Sequence, residues 1–285
     1  MKIAVGVPIM NQQQVSNDFL RTIKENQEGD VPMIFVDNGS EPPLRDWLIG
    51  LTENDTVIRN EENVGVVKAL NQIYRVAKNL GVDYIAYTHN DVMIYEKGWN
   101  TKIERILQEQ EDKSKALGHL PKVGVATFYG AKGIGTDNIY RSEYAMQQMI
   151  RIENVSNCNR MDPAVHGFRP INGDVEEVAV ADGFSLIVRV ELLDKIGGFD
   201  MAYSPHHMYD NDICVESLDK GYRNIVIPMD AQHLGGRTDV GEDWASKFGK
   251  TKQQVHQESH PVFYKKWHPD NVANGKHKIS LPVRV

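Results

Sequence analysis

The chain has 285 residues, of which 41% are hydrophobic and 25% are charged, as in an ordinary globular protein. The net charge of −7 at pH 7 argues against a protein that binds nucleic acids in general through their phosphates. The two cysteines, Cys158 and Cys214, are widely separated, which excludes a disulfide framework and a zinc site built on closely spaced cysteines.

The amino-terminal sequence is MKIAVGVPIMNQQQ, whose apolar run is too short for a signal peptide and predicts a first strand. No window of the sequence approaches the roughly 20 apolar residues that a membrane-spanning helix needs. Together with the cysteine content, these features predict a cytoplasmic protein without a transmembrane segment.

Strands and helices alternate in the first half of the chain. Apolar runs predict strands over residues 2–8, 31–36, 56–59, 83–88 and 123–128. Helices are predicted over residues 15–26, 44–50, 66–80 and 98–111, and the third of these has a clear apolar stripe at helical spacing. This alternation indicates an α/β fold, with a mostly parallel central sheet that is flanked by helices on both faces.

The second half of the chain is less regular. Residues 129–176 show no clear period and contain clusters of Gly, Asn and Pro, which predicts an irregular excursion or a loop over a site. A strand or hairpin is predicted over residues 177–190, a helix over 210–220, a strand over 224–228 and a helix over 260–267. We therefore expect one domain with a mixed carboxyl-terminal half.

Polar clusters follow two of the predicted strands. Asp37 and Asn38 end the second strand, and His89, Asn90 and Asp91 end the fourth. In an open parallel sheet, ligands bind beyond the carboxyl ends of the strands, so both clusters should lie at one binding edge. Each cluster alone also fits a turn or a helix cap, but their occurrence at the same edge favours a function.

The chemistry that we expect at this edge is the binding of a nucleotide with a metal ion. Asp37 could accept a hydrogen bond from a ribose hydroxyl or a base. Neither of the familiar glycine-rich phosphate loops occurs in the sequence, so a cation is the natural partner for a diphosphate. Asp91 offers a hard oxygen ligand for Mg²⁺ or Mn²⁺, which commonly needs only one or two carboxylates.

A second acidic group lies in the sequence MYDNDICVESLDKGY, residues 208–222. Asp210 and Asp212 occur where a helix should begin, and acidic residues at that place commonly cap free N–H groups. Capping readily explains one of these two aspartates. It explains less well why both occur together, with His206 and His207 just upstream. One of the two carboxylates could instead act as a general base on a hydroxyl group.

Two further features of the carboxyl-terminal half allow more than one interpretation. His233, in QHLGGRTD, is a borderline ligand that Mn²⁺ tolerates better than Mg²⁺, although a lone histidine is usually structural. The paired glycines after it allow a close approach of the backbone. Residues 245–285 carry eight basic and two acidic side chains, which fits either a solvated tail or a basic flap over an anionic ligand, an acceptor or a membrane surface.

Eight segments, in the correct order, resemble the family 2 glycosyltransferases, which have the GT-A fold. The first four are VGVPIMNQ, VDNGS, NEENVGVVKALNQIYRVA and YTHNDVMIYEKGW. The others are ADGFSLIVRVELLDKIGGFD, MYDNDICVESLDKGY, HLGGRT and HPVFYKKWHPD. The resemblance covers most of the chain outside residues 129–176. Two positions depart from the family pattern, because His89 replaces an aspartate of the metal motif and Asp210-Asn211-Asp212 replaces Glu-Asp.

The resemblance implies a role for particular residues. Asp91 takes the metal-binding position with His233 as a further ligand, and Asp210 aligns with the catalytic base, with Asp212 as its rival. Residues 1–128 would bind the nucleotide-sugar, and residues 177–285 would supply the acceptor site and the catalytic groups. The residues expected to contact the donor or the sugar hydroxyls are Pro8, Asp37, Asn38, Asn63, Gly65, Asn71, Asn90, Asp182, Gly183, Arg237 and Lys266, the last two by closing over the diphosphate.

The implied reaction is the metal-dependent transfer of a sugar from a nucleoside-diphosphate sugar to an acceptor hydroxyl, with inversion at the anomeric carbon. A UDP-sugar is the first expectation for the donor, and Mn²⁺ or Mg²⁺ for the metal. The acceptor could be a glycan, a lipid-linked saccharide, a protein or a modified nucleic acid. Two alternatives stay open: a non-catalytic protein of the same fold that binds a nucleotide-sugar or a glycan, and a retaining GT-A enzyme.

Overall fold

The computed structural model describes residues 1–137, 148–161, 167–235 and 244–267. The strands in these ranges are β1 (Ile3–Ile9), β2 (Met33–Asn38), β3 (Thr56–Asn60), β4 (Tyr84–Thr88), β5 (Val92–Ile94), β6 (Val123–Thr127), β7 (Tyr129–Asp137), β8 (Gln148–Ser156), β9 (Glu176–Val178), β10 (Val180–Ala181), β11 (Ser185–Arg189), β12 (Arg223–Val226) and β13 (Ala231–His233).

The α-helices in the same ranges are α1 (Gln13–Asn26), α2 (Val66–Leu80), α3 (Trp99–Leu117), α4 (Val190–Ile196), α5 (Tyr209–Asp219) and α6 (Lys252–Trp267). Short 3₁₀ helices cover Leu44–Asp46, Met201–Tyr203 and Ser246–Phe248. None of the helices in the described ranges combines the length and the apolar character that crossing a membrane requires.

Eight strands form a central sheet in the order β3-β2-β1-β4-β11-β6-β12-β9. β1 pairs in parallel with β2 and β4, β2 pairs in parallel with β3, and β12 pairs in parallel with β6. β11 runs antiparallel between β4 and β6, and β9 is antiparallel to β12. The predicted architecture, a mostly parallel sheet with a mixed carboxyl-terminal half, is therefore confirmed. The parallel strands β1, β2 and β4 end together along one edge.

Helices cover both faces of the sheet because successive residues of each strand face opposite sides. In β1, Val5 and Val7 belong to one apolar core, whereas Ala4 belongs to the other. The first core contains Phe19 of α1, and the second contains Leu70 of α2. Burying each such large apolar side chain stabilises the fold by about 1.5–3 kcal/mol, so the two cores hold the sheet edge in place from both sides.

Three predicted helices differ from those in the structure, and one of them, predicted over residues 98–111, continues to Leu117 as α3. Residues 44–50 contain only a 3₁₀ turn, Leu44–Asp46, rather than a helix. The last predicted helix, over residues 260–267, begins earlier and covers Lys252–Trp267. Its first turns read KQQVHQES, in which Val255 is the only buried apolar side chain, and such a segment has no apolar period from which a helix could be predicted.

Residues 129–176 contain regular structure where an irregular excursion was expected. β7 and β8 form an antiparallel hairpin, and β10 joins it to make a three-stranded sheet. β7 reads YGAKGIGTD, in which repeated glycines interrupt the alternation of apolar and polar side chains that marks a strand. Gly130 is required by packing, because a Cβ atom there would lie 2.7 Å from the carbonyl oxygen of Val180.

Candidate active site

The ends of β1, β2 and β4 open onto a cavity of about 290 Å³, which we call the first cavity. Its wall also includes the loop before α2, the strand β13 and part of α6. The two polar clusters that follow β2 and β4 thus contribute to one cavity. The predicted site residues that line it are Pro8, Asn38, Asn63, Gly65, Asn90, Asp91 and His233.

A network of amide groups fixes the wall of the first cavity. Asn38 donates from Nδ2 to Oδ1 of Asn63 at 2.8 Å, and its own Oδ1 accepts from the N–H of Val64 at 3.0 Å. Oδ1 of Asn63 also accepts from the N–H of Gly65 at 2.9 Å. Gly65 has φ +83°, and a Cβ atom on it would lie 2.8 Å from the backbone of Pro205. Only glycine fits this close approach of two loops.

The side chains of His89, Asp91 and His233 form a group whose ligand atoms all lie within 4.8 Å of one another. Nε2 of His233 lies 3.4 Å from Oδ1 of Asp91, and Nδ1 of His89 lies 4.0 Å from the same oxygen. Strand pairing explains this proximity, because β13 runs antiparallel to β5 with His233 opposite Val92. The ring of Phe184 stacks on His233 at a centroid distance of 4.5 Å and orients the imidazole.

This group fits a divalent metal ion. Asp91 is only 3% exposed, and a buried carboxylate is stabilised by a cation. Nε2 of His233 is also buried and forms no hydrogen bond with the described residues. Burial, assisted by the proximity of His233, lowers the pKa of His89, so that its imidazole is in the neutral form that binds metals. Two imidazoles beside one carboxylate suit Mn²⁺ better than Mg²⁺, which prefers oxygen ligands.

A second cavity, of about 510 Å³, adjoins the first, and His89, His206 and His256 line both. Asp210 lines this second cavity, and so do two other predicted site residues, Asp182 and Gly183. The structure therefore brings the proposed metal ligands and the proposed base to neighbouring cavities. A ligand that extends from one cavity into the other could contact both groups.

Asp210, at the start of α5, accepts hydrogen bonds from three residues. Arg151 of β8 donates from Nη2 to Oδ2 at 2.7 Å, and the N–H of Gly183 donates to the same oxygen at 3.1 Å. The N–H of Asn211 donates to Oδ1 at 2.8 Å. Arg151 also donates from Nη1 to Asp182, so that one guanidinium bridges the two carboxylates.

The two carboxylates that Arg151 bridges have pKa values shifted in opposite directions. Burial is the largest influence on Asp210 and raises its pKa, although the charge of Arg151 opposes this effect. Burial also disfavours ionisation of Asp182, but there the charge and the hydrogen bond of Arg151 prevail, and the pKa of Asp182 is lowered. Asp182 is therefore the more readily ionised partner of Arg151, and Asp210 is the group better suited to take up a proton.

Asp212, the rival candidate for the base, lies outside both cavities. It accepts hydrogen bonds from the hydroxyl of Tyr203 at 3.0 Å, from Nε1 of Trp267 at 2.9 Å and from Nζ of Lys266 at 2.9 Å. Burial raises its pKa to about 6. These contacts favour a structural role for Asp212, which is to anchor α6. Lys266 lies at this anchor and is not among the described residues that line the first cavity.

Two further residues expected to bind the donor are occupied by the protein itself. Asp37 accepts hydrogen bonds from backbone N–H groups of the loop after β2 and forms an ion pair with Arg59 at 2.7 Å. Asn71 accepts from the N–H of Phe199 at 2.8 Å and donates to the carbonyl of the same residue at 2.9 Å. Neither side chain is among the described residues that line the two cavities. Both side chains stabilise loops that surround the site.

Two residues of the site were not assigned from the sequence, Arg151 and His89. Arg151 lies in the hairpin whose strands show no clear period, and a single arginine in such a segment gives no signal. His89 departs from the family motif, but it stands two positions before Asp91, where the motif has its other carboxylate, and this spacing was a usable signal. Arg237, expected to contact the donor, lies outside the described residues.

Several solved structures are similar to the chain. GalNAc-T7, solved with UDP, GalNAc and Mn²⁺, superposes with a TM-score of 0.53 and 12% identity, over 80% of this chain and 42% of that chain. Residues 1–349 of S. aureus TarS, in complex with UDP-GlcNAc, superpose with a TM-score of 0.48 and 17% identity, over 80% of this chain and 56% of that chain. The mannosyltransferase PcManGT from Pyrobaculum calidifontis, with GDP-Man and Mn²⁺, superposes with a TM-score of 0.47 and 16% identity, over 94% of this chain and 70% of that chain. The chain spans about half the length of the first two.

The family can be assigned from the sequence itself. No curated protein sequence matches the chain. Residues 4–171, which are more than half of the chain, match the family described as glycosyl transferase family 2. The central sheet and the likeness to GalNAc-T7 agree with the GT-A fold that the motifs predict. The chain therefore belongs to glycosyl transferase family 2.

Proposed function

We propose that this chain is a metal-dependent inverting glycosyltransferase, which moves a sugar from a nucleoside-diphosphate sugar to a hydroxyl group of an acceptor. The observation that carries the proposal is the pair of adjoining cavities, one with the His89, Asp91 and His233 group and the other with Asp210. In an inverting reaction the leaving diphosphate and the attacking hydroxyl lie on opposite sides of the anomeric carbon. Two adjoining cavities provide separate places for them.

The nucleoside diphosphate of the donor would occupy the first cavity. The amide network of Asn38 and Asn63 holds the wall of this cavity rigid, and Gly65 lets the loop before α2 pack directly against Pro205 in the same wall. The chemistry that a divalent ion supplies when bound at the His89, Asp91 and His233 group is stabilisation of the charge that develops on the leaving diphosphate.

The acceptor would occupy the second cavity, with its hydroxyl group directed at Asp210. As the acceptor oxygen bonds to the anomeric carbon, the bond from that carbon to the diphosphate breaks and leaves its electron pair on the diphosphate. The proton of the hydroxyl passes to the carboxylate of Asp210. The N–H of Gly183 and the guanidinium of Arg151 hold this carboxylate in one orientation for the transfer.

The comparison with GalNAc-T7 supports the class of donor. GalNAc-T7 has the same fold as this chain and was solved with UDP, GalNAc and Mn²⁺. A UDP-sugar with Mn²⁺ is therefore the first combination to test. The division of the chain into a donor-binding half, residues 1–128, and an acceptor-binding half, residues 177–285, is part of the same proposal.

The test is incubation of the protein with UDP-, GDP-, TDP- and CDP-sugars and Mn²⁺, with the release of nucleoside diphosphate measured by chromatography. We expect release from one class of donor, dependent on Mn²⁺ and lost in Asp210→Asn. NMR of the sugar product should show an anomeric configuration inverted from that of the donor. Absence of release from every donor, with and without acceptors, would favour a non-catalytic binding protein. Product with the donor's own configuration would identify a retaining enzyme.

A further inference from the structure

A second group of possible metal ligands lies in the wall of the second cavity. It consists of His207, His256 and His260, which we call the histidine cluster. A nitrogen atom of each ring lies within 4.8 Å of the nitrogens of the other two. Nε2 of His207 lies 2.8 Å from Nε2 of His260, and the ring centroids of His207 and His256 are 3.4 Å apart. The cluster shares no residue with the His89, Asp91 and His233 group.

The local structure explains why these residues meet. His256 and His260 are four positions apart on α6, so that both lie on one face of the helix. His207 has φ +81°, which is a strained conformation for a residue with a side chain. Such strain persists where the surrounding structure imposes it, and it concentrates at ligand sites. Oγ of Ser259 lies 3.3 Å from the carbonyl oxygen of His206, which also brings α6 against this loop.

We propose that the histidine cluster binds a second metal ion, a late first-row transition metal and Zn²⁺ above all. Three imidazoles are a known ligand set of open zinc sites, in which the fourth position holds water or a substrate group. Two histidines at i and i+4 on one helix face are a recurring pair of zinc ligands. Zn–N bonds of about 2.0–2.1 Å place tetrahedral ligands roughly 3.3 Å apart, so His207 and His260 need to separate by only about 0.5 Å.

The position of the cluster suggests what the ion would do. His207 precedes Asp210 by three residues, and the other two ligands belong to α6. The ion would therefore clamp α6 onto the loop that positions Asp210. Its open coordination position would face the second cavity, because all three histidines line that cavity. Binding of the ion does not depend on the proposed glycosyl transfer, and it can be measured with the metal alone.

The experiment is calorimetric titration of the untagged full-length protein with Zn²⁺, after treatment with a chelator and without nucleotide. We expect wild type to bind two equivalents, one at each group of ligands. His256→Gln should lose one equivalent, Asp91→Asn should lose the other, and the double variant should lose both. His119 is an exposed histidine in neither group, so His119→Gln is the matched control and should retain both.

A spectroscopic measurement separates a metal site from a structural effect. His256 is exposed, so His256→Gln should leave the fold intact, which circular dichroism verifies. Co²⁺ added to the Asp91→Asn protein should give the intense visible absorption of tetrahedral coordination. This band should be absent from the double variant that carries both Asp91→Asn and His256→Gln. Undiminished Zn²⁺ binding in His256→Gln, or no Zn²⁺ binding in Asp91→Asn, would overturn the inference. Either result would leave the proposed glycosyl transfer standing, since that reaction is tested by nucleotide release.

Discussion

Nη2 of Arg151 lies 2.7 Å from Oδ2 of Asp210, and the same guanidinium bonds to Asp182. The hairpin β7–β8 thus contributes directly to the group that we propose as the general base. An arginine beside a partly buried carboxylate affects how easily that carboxylate ionises, because the positive charge opposes the effect of desolvation. The activity should therefore depend on pH in a way that Arg151 controls.

Arg151→Met should move the acid limb of the pH profile of kcat/KM to higher pH. Asp210 must be ionised to accept a proton, so activity falls as the pH decreases through its pKa. Burial raises this pKa and Arg151 opposes the rise, so removal of the guanidinium raises it further. Activity at pH 6 should then fall more than activity at pH 8. The measurement is nucleotide release across the pH range with the donor found in the screen.

The matched control for Arg151 is Arg105, whose ion pair with Glu109 lies on the exposed surface of α3. Arg105→Met should leave the pH profile unchanged. Arg151→Lys keeps a positive charge and should shift the acid limb less than Arg151→Met does. An acid limb that stays at the same pH in Arg151→Met would show that Asp210 is not the titrating base.

Asp210→Asn should lower kcat by about 10²-fold or more, the usual scale for the loss of a general base, while donor affinity stays within a few fold. Asparagine has nearly the same shape and keeps an oxygen that can accept from Arg151 and Gly183. The measurement pairs turnover with calorimetric binding of the nucleoside diphosphate. Wild-type turnover in this variant would remove Asp210 from the mechanism.

Asp212→Ala should destabilise the fold rather than slow the reaction selectively. The substitution leaves the buried donors of Tyr203 and Trp267 without their acceptor, and each such group costs about 1–3 kcal/mol. Urea denaturation should show this loss, with turnover per folded molecule maintained. Glu258→Ala, which removes one partner of an exposed ion pair with Lys250, should change the free energy of unfolding by no more than about 1 kcal/mol. A stable but inactive Asp212→Ala protein would reverse the assignment of the two aspartates.

Gly65→Ala and Gly81→Ala form a matched pair at the two ends of α2, and both glycines have positive φ. At Gly81 no atom lies within 4 Å of the added Cβ, so alanine there costs only the backbone strain of about 1–2 kcal/mol. At Gly65 the Cβ would collide with Pro205 in the wall of the first cavity. We expect Gly65→Ala to weaken donor binding as measured by calorimetry, and Gly81→Ala to leave it unchanged. Equal donor affinity in both variants would argue against a nucleotide in the first cavity.

The fold was largely predictable because its central strands are apolar on both faces. Apolar runs such as IAVGVPI and YIAYT predict buried strands, and the helices that separate successive strands predict that these strands run parallel. The hairpin was not predictable, because its glycines interrupt the strand period, and at Gly130 the glycine is required by close packing against β10. The start of α6 was missed for a similar reason, since it is polar over its first two turns.

The candidate site was predictable only in part. Asp91 and His233 were found from their places after strands, and Asp210 from its place at the start of a helix. The sequence did not distinguish Asp210 from Asp212, because both lie in the first turn of α5 and only packing directs one to a cavity and the other to α6. The histidine cluster joins positions about 50 residues apart, and such contacts leave no local pattern.

Calorimetry of the nucleoside diphosphate from the successful donor, with and without Mn²⁺, tests the metal-dependent donor site itself. In the wild type, Mn²⁺ should tighten binding by at least about tenfold, within the usual range for coupled ligands. The same gain should persist in Asp112→Ala, which removes an exposed carboxylate of α3. In Asp91→Ala the gain should disappear. Affinity that Mn²⁺ still increases to the wild-type extent in Asp91→Ala would contradict a metal ion held at the edge of the sheet.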